Sequence, residues 1–135
     1  MFFRNKAGFA ALAILLTAVF AARAAETPLP PPETALLRIE FTLNESALSS
    51  SAHDEIAAFA ADVQRQSSRL LIKAYAGPPR DASSTARKLS LRRALSVRNK
   101  LIESGVVSGR IHVRALGGTS DSGPQDRVDI VLAGG

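Results

Sequence analysis

The sequence contains no cysteine and no tryptophan, and only two histidines and one tyrosine in 135 residues. Without cysteine there is no disulfide framework, no thiolate zinc site and no cysteine nucleophile. Nor is there a residue to carry the lipid of a bacterial lipoprotein. His53 and His112 alone do not make an all-protein metal cage, so neither a metal nor a cofactor is expected. The length fits one domain of roughly 100–150 residues and excludes a large multidomain enzyme. Acidic residues are outnumbered, 12 against 17 Lys and Arg, for a net charge of +5. Such a balance points to a polyanion-binding protein until its distribution is worked out.

What is present begins with an export signal. Arg4 and Lys6 form a positive n-region, Gly8 to Ala22 is free of charge, and Ala22-Arg23-Ala24 supplies a small-x-small cleavage pattern. Residues 1–24 therefore read as a signal peptide. The rival is an uncleaved anchor, for which the apolar run is shorter than the ~20 residues a spanning helix prefers. Removing Arg4, Lys6 and Arg23 takes the net charge from +5 to +2 and leaves Phe41, Phe59 and Tyr75 as the remaining aromatics. Residues 25–34 hold four of the seven prolines and read as a stiff polyproline-like spacer. Residues 35–135 are left as the folded domain.

Four runs in that domain alternate with period two, the mark of half-buried strands. Leu37, Ile39 and Phe41 share one face; so do Leu70, Ile72 and Ala74, then Ile111, Val113 and Ala115, then Val128, Ile130 and Leu132. The opposite faces are largely polar, so the sheet is expected to be covered on one side only. Ile56, Phe59, Ala60 and Val63 place a helix over about 49–66, with N-cap hydroxyls at Ser49 to Ser51. A second helix spans about 84–104, its stripe formed by Ala94, Val97 and Leu101, widened by Leu91, Leu95 and Ile102, and stopped by Gly105. The order strand, helix, strand, helix, strand, strand predicts an α/β two-layer sandwich, βαβαββ, with two helices on one face of a mixed four-stranded sheet. Each strand–helix–strand unit is expected to make a parallel crossover, and the last two strands, joined by the Gly/Pro/Asp-rich stretch 117–126, to run antiparallel.

The positive charge belongs to one region. Residues 82–120 carry Arg87, Lys88, Arg92, Arg93, Arg98, Lys100, Arg110 and Arg114 against Glu103 alone. This is either a solvated helix face or an anion-contacting edge.

At this helix the sequence resembles a known family. Leu89-Ser90-x-x-Arg93-Ala94-x-x-Val97-x-x-x-Leu101, followed by Gly105-Val106 and Arg110-Ile111, looks like the OmpA-like C-terminal domain, and so do Phe41 with Leu48 and the terminal Arg127-Val128-Asp129-Ile130. The resemblance spans essentially all of 35–135. It implies a periplasmic, cell-wall- or outer-membrane-associated module of a Gram-negative envelope that holds the diaminopimelate of a peptidoglycan stem peptide. In the family a loop Asp after the second strand pairs with the ligand's ammonium, and the Arg of the Leu-Ser-x-x-Arg-Ala pattern pairs with its carboxylate. Arg93 fills the second role; the alternative is a helix-edge Arg packing its stem over the core.

The first role has no direct match, because Gly77 stands where the Asp is expected and Pro78-Pro79 follow. An ammonium desolvated without its anion typically forfeits about 2–5 kcal/mol of binding. Asp81, four residues on, either folds back into the site or caps the following helix. Gln125 and Asp126 replace the family's Asn and first Arg, Ala86 replaces an Asn, and Ala115 replaces the first of two glycines. The ligand-binding set implied is Arg93, Asp81, Gly77, Leu89 and Arg127. The alternative is a degenerate OmpA-like module that binds envelope proteins and no peptidoglycan.

Other chemistries find little support. His53 and Asp54 are adjacent on a predicted helix and point about 100° apart, which no catalytic relay tolerates, and no Gly-x-Ser-x-Gly elbow occurs. The chain is not read as an enzyme. A nucleic-acid platform needs exposed aromatics for stacking, and Tyr75 alone is available, so no nucleic acid is expected. Any membrane association would be indirect or through an uncleaved signal.

Overall fold

The computed structural model describes residues 28–134. The signal-peptide expectation for 1–24 lies outside them. Four strands and two helices follow in the anticipated order: β1 (Leu37–Glu40), α1 (Ser50–Val63), β2 (Leu70–Tyr75), α2 (Ser84–Glu103), a turn of 3-10 helix (Ser108–Arg110), β3 (Ile111–Gly117) and β4 (Arg127–Leu132). The fold is an α/β sandwich with a mixed sheet.

Local chemistry sets the boundaries. The Ser49 hydroxyl accepts the Ala52 N–H and starts α1, and the Ser83 hydroxyl accepts the Ala86 N–H and starts α2. At the far end of α2 the Gly105 N–H donates to the Ile102 carbonyl and the Val106 N–H to the Leu101 carbonyl. That is a Schellman stop, with Val106 buried against the core.

The strand order is β1-β4-β2-β3. β2 and β3 pair in parallel around α2, as expected. β1 and β2 do not pair: β4 inserts between them, antiparallel to both. The reason is burial. Arg127, Val128, Asp129 and Ile130 are all buried, and a central place satisfies both edges of that strand. The four-residue β1 suits an edge, where a short strand exposes little unpaired backbone.

Ile39, Ile72, Val128 and Ile130 from the sheet meet Ile56 and Ala60 from α1 and Ala94, Val97 and Leu101 from α2. The buried stripe of α2 also takes in Ala86, Ser90 and Arg93. Leu91 and Leu95 do not widen it; they are 43% and 39% exposed. One helical position is about 100° of rotation, so residues next to Ser90 and Ala94 turn away from the sheet.

The sheet face away from the helices is partly covered by the proline-rich segment. The Pro30 carbonyl accepts the Ser122 N–H at 2.8 Å, and Glu33 pairs with Lys73 at 3.0 Å. Among the described residues, no helix is long and apolar enough to cross a membrane.

Candidate functional site

The loop after β2 is built by close backbone approach. The Ala76 N–H donates to the Gly117 carbonyl, the Arg80 N–H to the Thr119 carbonyl and the Gly118 N–H to the Asp81 carbonyl, each at 2.8 Å. A Cβ at Gly118 would collide with the Asp81 amide and the Pro78 carbonyl, so only glycine lets the two loops meet there. Gly77 (φ 80°) and Arg80 (φ 63°) adopt left-handed backbone around the two prolines. The resulting turn, closed by the Asp81 N–H on the Pro78 carbonyl at 3.1 Å, brings Asp81 back toward the end of β2.

Asp81 thereby reaches the place a side chain at position 77 would occupy. A Cβ on Gly77 would lie 2.9 Å from Asp81 Oδ2. The other oxygen, Oδ1, accepts the Ser83 N–H at 2.9 Å. Hydrogen bonds from Ser83 hold this carboxyl below the usual carboxylate range, so it is ionised at neutral pH. The helix cap itself is Ser83, not Asp81.

Asp81 lines a cavity of about 280 Å³ at the N-terminal end of α2. Leu43, Pro78, Ala86 and Leu89 supply apolar wall; Asn44, Gln125 and Asp126 supply polar groups. Gly77, Asp81 and Leu89 are thus brought together.

Arg93 is not in the lining. It is fully buried and acts as the hub that holds the surrounding segments. Its Nε donates to the Glu45 carbonyl at 2.7 Å, one terminal nitrogen to the Tyr75 carbonyl at 3.1 Å and to Asp126 Oδ1 at 2.8 Å, and the other to the Thr42 carbonyl at 3.1 Å. The guanidinium also lies over the Phe41 ring, 5.2 Å from its centroid. Ser90, its motif partner, donates to the Arg87 carbonyl and accepts the Gly117 N–H at the β2–β3 bulge.

Arg127 sits elsewhere, on the sheet face opposite the helices. It stacks on Tyr75, 4.4 Å from the ring centroid, and donates to Asp121, Asp129 and the Pro124 carbonyl. Arg38 completes the chain through Asp129 at 2.7 Å. Burial pulls the Arg127 guanidinium down, but the hydrogen bonds to Asp121 and Asp129 outweigh it and hold the group above its ordinary value. For Asp121, burial works upward and is outweighed by the Arg127 and Gly123 hydrogen bonds, so its carboxyl is held low. A second cavity, of about 360 Å³, lies on this face between the proline-rich segment, Lys73, Tyr75 and Arg114.

The residue that sequence reasoning undervalued is Asp126. It lines the cavity, is 25% exposed and pairs with Arg93. Its signal was the reversal of charge at a position where the family resemblance expects Arg. His53 and His112 are both exposed. No group of three His, Cys, Asp or Glu suited to a metal occurs among the described residues.

The OmpA family model matches residues 40–127. The fold is similar to the OmpA-like domain of FopA1 from Francisella tularensis, at 24% identity and a TM-score of 0.57 over 72% of this chain and 71% of that one. It is also similar to the peptidoglycan-associated lipoprotein of Burkholderia pseudomallei, at 19% and 0.59 over 71% and 89%. The C-terminal domain of Helicobacter pylori MotB aligns at 15% and 0.58 over 74% and 86%. At these identities the likeness is one of fold. No curated protein matches the chain.

Proposed function

The chain belongs to the OmpA family, and we propose that it is an exported, non-enzymatic module of the periplasm that associates with peptidoglycan without a covalent bond. The observation that carries this reading is the Asp81 carboxylate beside Gly77 in the cavity at the start of α2. It supplies, from four residues downstream, the anion that an ammonium of the stem peptide requires on leaving water. Leu43, Pro78 and Leu89 offer apolar contact to the ligand's alkyl chain. Fold similarity to a peptidoglycan-associated lipoprotein and to MotB domains described as periplasmic supports the same location and partner. In this reading Arg93 and Arg127 act as positioning residues, one tying the loops around the cavity and the other fixing the far face of the sheet. The proposed domain plan is a signal peptide at 1–24, a proline-rich segment at 25–34 and the OmpA-like domain from 35.

A second reading is favoured by one specific observation. Arg93, which the family resemblance assigns to a ligand carboxylate, is buried and bonded to Asp126. A module that kept the fold and turned to an envelope protein would look the same at this position. Co-sedimentation of the purified chain with isolated sacculi separates the two: the peptidoglycan reading requires binding by the parent that Asp81→Asn weakens at least tenfold. The protein-interaction reading requires none.

A further inference from the structure

The cavity at the start of α2 has an unusual charge balance. Among the described residues its lining includes two carboxylates, Asp81 and Asp126, and no Lys, Arg or His. Arg80, Arg87 and Lys88, though close in sequence, are exposed and outside the lining. The buried cation adjoining it, Arg93, is already neutralised by Asp126 at 2.8 Å and gives its remaining bonds to the carbonyls of Thr42, Glu45 and Tyr75. A ligand carboxylate entering here would meet the Asp81 carboxylate and the second oxygen of an Asp126 that already occupies Arg93, with no cation among the described lining residues. A ligand ammonium would meet the ionised Asp81 and the spare oxygen of Asp126.

We propose that this cavity selects an alkyl ammonium whose neighbouring carboxyl is absent or neutralised, as in a lysine side chain or the carboxamide of diaminopimelate, over the zwitterionic amino acid. The inference rests on the peptidoglycan reading above and makes it narrower. The chain's own Asp126 stands where the ligand's carboxylate would have to compete for Arg93. A carboxamide, being neutral, meets no such repulsion and can donate to Asp126 Oδ2. The specificity thus comes from a repulsive element built into the wall as much as from the attraction of Asp81.

Two synthetic tripeptides ending in meso-diaminopimelate test it, one with the side-chain carboxyl free and one with it as the carboxamide, titrated calorimetrically into the full chain. The carboxamide is expected to bind at least about tenfold more tightly, equivalent to about 1.4 kcal/mol. Asp126→Asn should cut that preference to within about threefold by strengthening the free acid, and Asp81→Asn should weaken both ligands. Circular dichroism checks that each variant is folded. Equal or tighter binding of the free acid by the parent overturns the inference while leaving peptidoglycan association standing. A preference that neither variant alters overturns the assignment to these carboxylates. No binding of either peptide, with none to sacculi, overturns the inference together with the reading it rests on.

Discussion

Replacing Arg93 by Ala removes the group that ties together four separate segments around the candidate site. The side chain is 0% exposed. Its loss leaves the carbonyls of Thr42, Glu45 and Tyr75 without these donors and Asp126 without its counter-ion. Breaking a buried ion pair from one side typically destabilises by about 3–5 kcal/mol, because the surviving partners keep their desolvation. Against a total stability of about 5–15 kcal/mol, that is a large fraction. At roughly 4–8 °C per kcal/mol for a domain near 100 residues, the melting temperature should fall by at least about 12 °C. Arg93→Lys keeps the charge, but a single ammonium cannot span acceptors on three sides as the planar fork does. A loss of about 2 kcal/mol is expected there, from two bonds at about 1 kcal/mol each. Urea unfolding followed by far-ultraviolet circular dichroism reads both values. A loss below about 1 kcal/mol for Arg93→Ala would refute the hub, and would instead fit a guanidinium that faces the cavity and is free for a ligand.

Three further predictions concern the loop and the opposite face. Gly77→Asp is not a simple gain of binding: the left-handed backbone (φ 80°) and Asp81 Oδ2, 2.9 Å from the new Cβ, oppose it. It should lower stability by about 1–2 kcal/mol, and the paired change Gly77→Asp with Asp81→Gly should recover sacculus binding better than Gly77→Asp alone. Gly118→Ala should open the clamp between the loops, destabilising by roughly 2 kcal/mol or more and weakening ligand binding in the same calorimetric titration. Asp121 has a folded-state pKa held below its unfolded value. Its stabilising contribution is therefore full above about pH 4 and is lost as the pH falls through the depressed value. Asp121→Asn should flatten that part of the acid unfolding profile; an unchanged profile would mean the Arg127 pairing contributes nothing in solution.

The strands and helices were legible because their periodicity and caps are local. Ser49 and Gly105 mark two helix ends within a residue, whereas the cap of α2 is Ser83 and not the Asp81 that the sequence offered. The insertion of β4 between β1 and β2 was not, because a period of two reports which face is buried and not which strand lies alongside. The misplacement of Leu91 and Leu95 has a related cause: with a leucine on either side of Ser90, hydrophobicity alone cannot fix the rotation of α2. Arg93 was readable as a motif residue but not as a buried one. Its burial depends on carbonyls from the β1–α1 loop and the end of β2 and on Asp126, all distant in sequence. Asp81 could be read either as a site residue or as a helix cap, and the choice turned on the left-handed backbone at Gly77 and Arg80. The structure puts its carboxylate beside Gly77 and leaves the capping to Ser83.

On the proposed reading, the cavity beside Gly77 holds an ammonium of the cell wall through Asp81. Asp81 offers a clean lever: among the described residues its carboxylate is held by Ser83 alone, in an exposed contact, so Asp81→Asn should leave the fold intact and alter stability little. The direct measurement is equilibrium co-sedimentation of parent and Asp81→Asn with purified sacculi. Saturable binding by the parent, weakened at least tenfold by the substitution, is the expected result; identical binding by the two proteins would contradict the account.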